Sequence, residues 1–284
     1  MRRQLGFAAL AAALLVGLST DRADATIYLM EDFSTYTDGD LVGQNGWTQR
    51  GGTSSAPIQV SGGSVVMPAP AGINQDAYIN NSAGTIPAPG VGTTTVYMGY
   101  KMSVQSAPTV DFTSTTPSYF SATYTGDDAS GFANERIFTS ASGSGFVFSA
   151  KVTGQAAAPF GTGVDVLSFN TDYNVIVRAD MVAGPGNDTV SIYVNPTSGD
   201  VNLETPYVTV GVGGGSDPAG IGSLVLSQFE IPGAVLQSAV TIHSIVMADT
   251  FAEASMIPEP SSFLLAGMAG VIGLGYYRVR RRRR

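Results

Sequence analysis

The 284-residue chain contains no cysteine, one histidine and few charges, 13% of residues against 44% hydrophobic ones. Without cysteine there are no disulfide frameworks, thiolate metal sites or cysteine nucleophiles. A lone histidine, His243, removes histidine-cluster metal centres and leaves little room for a Ser-His-Asp scheme. Also missing are the Gly-x-Ser-x-Gly elbow of serine hydrolases, a phosphate-cradling Gly-x-x-x-x-Gly-Lys loop, and the Glu-x-Asp-x-Glu run of closely alternating carboxylates that a jelly-roll retaining glycosidase would carry. Amphipathic helical periodicity is almost absent between the two ends.

What is present is sharply asymmetric. Six of the fourteen basic residues occupy the last seven positions, whereas Thr26 to Ser255 holds five basic residues (Arg50, Lys101, Arg136, Lys151, Arg178) against nineteen acidic ones, a net charge of −14. Such a body is repelled by nucleic acid and by anionic lipid, so no nucleic-acid partner is expected.

The first 25 residues have the layout of a secretory signal: Arg2 and Arg3, an uncharged apolar run from Leu5 to Leu18, and Ala23 and Ala25 at the cleavage-specifying positions before Thr26. The run is too short to span a bilayer. At the other end, the 18 uncharged residues between Glu259 and Arg278 reach roughly 27 Å as a helix, just enough to cross a membrane. Gly267, Gly270, Gly273 and Gly275 are ordinary in a transmembrane helix, and the arginines at 278 and 280–284 hold the C-terminus inside. The body is then left across the membrane.

The run Ile257-Pro258-Glu259-Pro260-Ser261-Ser262, followed by this glycine-rich span and the arginine cluster, resembles the PEP-CTERM sorting signal of Gram-negative bacteria. The resemblance covers about 28 residues. It implies recognition at Pro258, Glu259 and Pro260 by an exosortase-type protease-transferase, anchoring in the inner membrane until the tail is removed, and delivery to the cell surface or the exopolysaccharide matrix. Two prolines also deny the chain helical geometry just outside the bilayer, leaving an extended, accessible peptide.

Residues 26–255 show short alternating runs separated by Gly, Pro, Ser and Asn, the pattern of one all-β, two-sheet antiparallel sandwich flanked by residues 1–25 and 256–284. From Thr95 to Val104, Val96, Met98, Tyr100, Met102 and Val104 share one face, so one side is buried and one wet. Val175, Val177, Ala179 and Met181 repeat the rule, and the turn Gly184-Pro185-Gly186-Asn187 pairs them with Val190, Ile192 and Val194. Further strands are expected at Ile27 to Phe33, Ile58 to Met67, Ser118 to Thr125, Arg136 to Thr139, Phe146 to Val152, Tyr207 to Val212, Leu224 to Phe229 and Thr241 to Asp249.

The opening Glu31-Asp32-Phe33, Tyr36, Gly39, Leu41, Gly43-Gln44-Asn45-Gly46-Trp47, with later runs at Asp188 to Pro196 and Ile242 to Phe251, resembles laminin-G-like, concanavalin A-like jelly rolls of bacterial surface proteins. The resemblance implies a fold used to bind glycans or as a spacer, in some members with a structural calcium near the strand ends.

Candidate sites follow. Glu31, Asp32 and Asp249 meet if the first and last strands are neighbours, offering hard oxygen ligands for Ca²⁺; the alternative is solvated strand ends. Asp38-Gly39-Asp40 and Asp127-Asp128 read as turns. Trp47 either stacks on a sugar ring or plugs one end of the core. His243 lies in an alternating run as a strand residue. The glycosylation-like triplets Asn80-Asn81-Ser82 and Asn187-Asp188-Thr189 carry no weight in a bacterial chain. The expectation is an exported, non-catalytic surface or matrix protein without a required cofactor. The alternatives are an exopolysaccharide-binding module, or a polysaccharide hydrolase or lyase.

Overall fold

Alternation governs the longest strands. In the computed structural model, which describes residues 25–51, 56–68, 75–109, 119–129, 133–152, 161–211, 220–228 and 238–255, Val96, Met98, Tyr100, Met102 and Val104 are all buried on one side of a fourteen-residue strand.

The described residues form β1 (Ile27–Glu31), β2 (Gly39–Asp40), β3 (Thr48–Gly51), β4 (Gln59–Ser61), β5 (Ser64–Met67), β6 (Asp76–Asn80), β7 (Ile86–Pro87), β8 (Thr93–Ser106) and β9 (Ser121–Tyr124). They continue with β10 (Ala133–Ser142), β11 (Gly145–Val152), β12 (Gly161–Thr162), β13 (Asp172–Val182), β14 (Thr189–Val194), β15 (Val208–Gly211), β16 (Gly220–Ile221), β17 (Ser223–Ser227), β18 (Ala239–Ala248) and a closing helical turn, α1 (Phe251–Ser255).

Two large antiparallel sheets result, with β7 and β16 paired separately as a two-stranded ribbon. Sheet A runs β15-β14-β13-β8-β18-β5-β4-β2, with β1 also paired to β18; sheet B runs β12-β11-β10-β9-β17-β6-β3. Their facing sides share one core, in which the Tyr100 ring meets Phe120 edge-on and the Tyr100 hydroxyl lies 2.8 Å from Ser121 Oγ across the layers. Met67, Met98, Met102, Met181 and Met247 fill the irregular space between branched and aromatic neighbours. The chain is thus an all-β antiparallel sandwich, as the alternation implies.

The expected hairpin at 174–194 forms in register, Val175 opposite Val194 and Ala179 opposite Val190. One expected strand does not: Ile58 to Met67 folds as the hairpin β4–β5, because Gly62 and Gly63 take φ of 57° and 75°, the mirror-image turn that a two-residue connection needs. Asp38 Oδ1 accepts the Gly62 amide at 2.8 Å, so this carboxylate serves the turn.

The outer side of sheet A carries α1. Phe251 is wedged edge-on between Tyr97 and Tyr193, at 5.7 and 5.1 Å between ring centroids. Below it Gly99 has no side chain because a Cβ would stand 2.0 Å from the Ala254 carbonyl oxygen. Among the described residues no helix is long and apolar enough to cross a membrane. The signal, the Pro258-Glu259-Pro260 motif and the apolar C-terminal run lie outside the described residues, as do Ala23 and its neighbours up to residue 24.

Candidate functional site

The chain between β1 and β3 builds a cluster from residues the sequence had singled out. Phe33, fully buried, adopts φ of 55°, a costly conformation for a bulky side chain that packing on Tyr36 and Trp47 over-determines. The Tyr36 hydroxyl donates to Glu31 Oε2. Burial raises the Glu31 pKa and the neighbouring Asp32 charge adds to it, while Tyr36 and the Trp47 indole pull it down. The indole Nε1 is nevertheless without an acceptor at hydrogen-bond geometry among the described residues, so its influence on Glu31 is electrostatic.

Beside this cluster a cleft of about 570 Å³ opens between β1 and the β3–β6 edge of sheet B. Its polar wall includes Glu31, Asn45, Thr48 and Asn80, and its apolar wall Met30 and Tyr78. The volume lies within the range of small-ligand sites.

The outer side of sheet B continues from this edge. In direct register, Thr48 faces Tyr78, Tyr78 faces Val225, Val225 faces Ala122, Ala122 faces Arg136, and Arg136 faces Lys151. Above the middle of this row the short 3-10 turn Asp127–Ala129 packs Ala129 against Tyr78, Ala122, Tyr124 and Val225. The Arg50 guanidinium lies 4.0 Å above the Tyr124 ring and 3.6 Å from the buried Asp76 carboxylate, and its Nε donates to the Ala129 carbonyl at 3.2 Å. The Tyr124 and Tyr119 hydroxyls are 2.8 Å apart, and Arg136 stands 5.8 Å from the Tyr119 ring centroid. Burial and the Arg136 charge hold the Lys151 ammonium below its ordinary pKa.

No protein-family model matches the chain, and no curated protein does. Solved structures are similar to it in fold. One is the CBM2 module of the Lactobacillus casei BL23 phage J-1 evolved Dit, 15% identical, covering 80% of this chain and 96% of that one, with a TM-score of 0.43. Another is the endo-1,3-beta-glucanase from Streptomyces sioyaensis, 9% identical over 81% and 98%, TM-score 0.41. A third is the alginate lyase from Alteromonas sp. 272, 10% identical over 72% and 94%, TM-score 0.39. The expectation of a non-catalytic chain stands corrected: two of these three similar chains bear the names of enzymes.

The proposed calcium ligands are not brought together. Glu31 pairs opposite Ile245 while the Asp249 amide bonds Thr26, which puts the two carboxylates at opposite ends of β1, about 16 Å apart along the strand. Asp32 Oδ1 accepts from the Ser34 amide and hydroxyl, and Asp249 Oδ1 from the Thr26 amide. Among the described residues no group of three metal-ligating side chains occurs. First and last strands are neighbours, as expected, but antiparallel pairing separates the residues at their far ends.

Trp47 is 1% exposed and packs on Phe33, so it plugs the core rather than offering a platform. Asp127 Oδ1 accepts from Thr85, and Asp188 Oδ1 from the Val182 amide. His243 does more than the sequence reading allowed: its Nδ1 lies 2.9 Å from Ser64 Oγ and its Nε2 3.1 Å from Asp172 Oδ1, linking three strands of sheet A. The Asp172 side chain is 60% exposed, so water screens this relay.

The sequence missed Glu135. Its side chain is buried in the sandwich, with Oε1 lacking a partner among the described residues, and burial pushes its pKa up to about 7. A hydrogen bond with Thr123 opposes the shift and the Asp188 charge adds to it.

Proposed function

We propose that this chain is an exported surface or matrix protein that binds polysaccharide in the cleft between β1 and the β3–β6 edge. The cleft carries the binding half of this reading. Sugar hydroxyls are held by side chains that together donate and accept, amides and hydroxyls doing both and a carboxylate accepting, and the C–H face of a ring needs an apolar wall. Asn45, Asn80, Thr48 and Glu31 supply the first, and the exposed Met30 and Ile27 the second.

The expected result is retention of the purified protein on the producer's own exopolysaccharide, weakened roughly 5- to 10-fold by Asn45→Ala combined with Thr48→Ala, the scale of one or two lost hydrogen bonds. Co-sedimentation measures it, and undiminished retention by the double variant sinks the assignment of the cleft. Assay of the same supernatants for new reducing ends reads catalysis separately.

The export half rests on the signal at 1–25 and on Pro258, Glu259 and Pro260 ahead of the apolar span and arginines. An exosortase-type enzyme is the processing partner, acting while the tail sits in the inner membrane. Mass spectrometry of cell-associated and shed protein is expected to find Thr26 at the N-terminus and the C-terminal arginines gone. Intact arginines in every fraction would contradict processing.

A further inference from the structure

Between Thr26 and Ser255 nineteen carboxylates share five basic side chains, so a carboxylate without a cation is the common case and its setting is what matters. Glu31 has an uncommon setting. It is the charged residue in the wall of the cleft between β1 and the β3–β6 edge, and no basic side chain lines that cleft among the described residues. Arg50, two residues beyond Thr48 on β3, is turned to Tyr124 and paired with Asp76. Glu31 forms no ion pair among the described residues, and the side chains that act on it are Tyr36, Asp32 and Trp47, none of them a cation. The Tyr36 hydroxyl donates to Oε2. A carboxylate offers about four acceptor positions, so one hydrogen bond leaves capacity toward the cleft. Burial raises the Glu31 pKa because the charge is partly stripped of water, and a cation entering the cleft would replace that lost solvation. An anion would instead be repelled by Glu31, by Asp32 and by the net charge of −14. A hard metal ion needs several oxygen ligands, and no group of three ligating side chains occurs among the described residues. An ammonium needs only acceptors for its three N–H donors: one carboxylate, with the side-chain oxygens of Asn45 and Thr48 in the same wall.

We propose that the cleft selects amino sugars, holding the protonated amine of a hexosamine unit on the Glu31 carboxylate beside Asn45 and Thr48. The proposal rests on the polysaccharide reading of this cleft and adds the charge of the sugar. Ile27 and Met30, 41% and 51% exposed at the same wall, give the C–H face of the ring an apolar surface, which an isolated ammonium or a metal ion would not use.

The test titrates the purified full chain with chitosan oligomers and with their fully N-acetylated counterparts, which keep the backbone and remove the charge. The amine form is expected to bind roughly tenfold tighter, the scale of one charge-assisted hydrogen bond, and Glu31→Gln to bring the two forms to parity. Glutamine keeps an acceptor for the Tyr36 hydroxyl, and the preference of the parent chain is in any case read without the variant. A body of this charge attracts any polycation, so the control is Asp165→Asn, which removes one charge from the exposed loop after β12, at the other edge of sheet B from β3, and should leave the preference intact. An equal loss in Asp165→Asn, or a preference that survives Glu31→Gln, reduces the effect to overall charge and overturns the site. Equal binding of both oligomers by the parent chain overturns the amine while leaving the polysaccharide reading intact. Binding of neither oligomer also overturns the amine, and the polysaccharide reading falls with it only where retention on the producer's own exopolysaccharide is lost as well. Stronger binding of oligolysine that Glu31→Gln abolishes overturns the choice of a sugar as the ligand.

Discussion

Glu135→Gln is expected to flatten the pH dependence of stability and to stabilise the protein above neutral pH by up to about 3 kcal/mol. The carboxyl is 2% exposed, and its pKa rises from an ordinary 4.5 to about 7 chiefly because burial penalises the charge. The folded state therefore keeps a proton that the unfolded chain releases from about pH 4.5 upward. Stability is fully present below the unfolded pKa, falls as pH rises between about 4.5 and 7, and stays at its reduced level above that. A glutamine cannot ionise, so the variant should match the parent near pH 4 and gain on it progressively toward pH 8. Urea titrations across that range measure the difference. Parallel curves for the two proteins would mean that Glu135 is hydrated or paired in solution.

Trp47→Ala is expected to cost about 3–5 kcal/mol of folding stability, the range for truncating a buried aromatic. The ring is fully enclosed and leans on Phe33, and its backbone anchors the turn: Trp47 N–H donates to the Gln44 carbonyl and its own carbonyl accepts from Gly43, both at 2.8 Å. Because Asn45 and Gly46 of that turn line the cleft, the alanine variant should lose glycan retention in proportion to its unfolded fraction. Trp47→Phe keeps a ring in the core and should retain binding at temperatures where it is folded. A normally stable Trp47→Ala with lost binding would instead return Trp47 to the role of a direct sugar contact.

The legible part of this fold was its periodicity. β8, β13 and β14 read correctly because one side of each is apolar and the turn at 184–187 is unmistakable. The strand Asp76–Asn80 escaped because Tyr78 is buried on the outer side, beneath Ala129, which alternation alone does not anticipate. The β4–β5 hairpin escaped because Ser61-Gly62-Gly63-Ser64, itself a turn signal, was read through as part of one alternating run.

For the site, the stretch from Glu31 to Trp47 stood out as a pattern, yet the hydrogen bond from Tyr36 to Glu31 and the burial of Trp47 are facts of packing. The pairing of Arg136 with Lys151 was within reach. A two-residue turn at Gly143-Ser144 sets Ser142 opposite Gly145, and counting back along both arms brings the two cations face to face. The missing signal was the turn, which lies between runs that were read as two separate strands. Glu135 was illegible for a different reason: a lone glutamate at the head of a strand looks solvated until the opposite sheet closes over it.

The lodging of Phe251 and Ala254 over Gly99 also decides how the molecule hangs from whatever holds it. Ser255 comes to rest on the back of sheet A, so a surface coupled there grips the domain from behind. The outer side of sheet B, the opposite layer, then looks away from the attachment. A bead coupled through residue 255 should accordingly leave that outer side open, so that a cysteine placed at the exposed Thr48 reacts with a thiol reagent as fast as in the free protein.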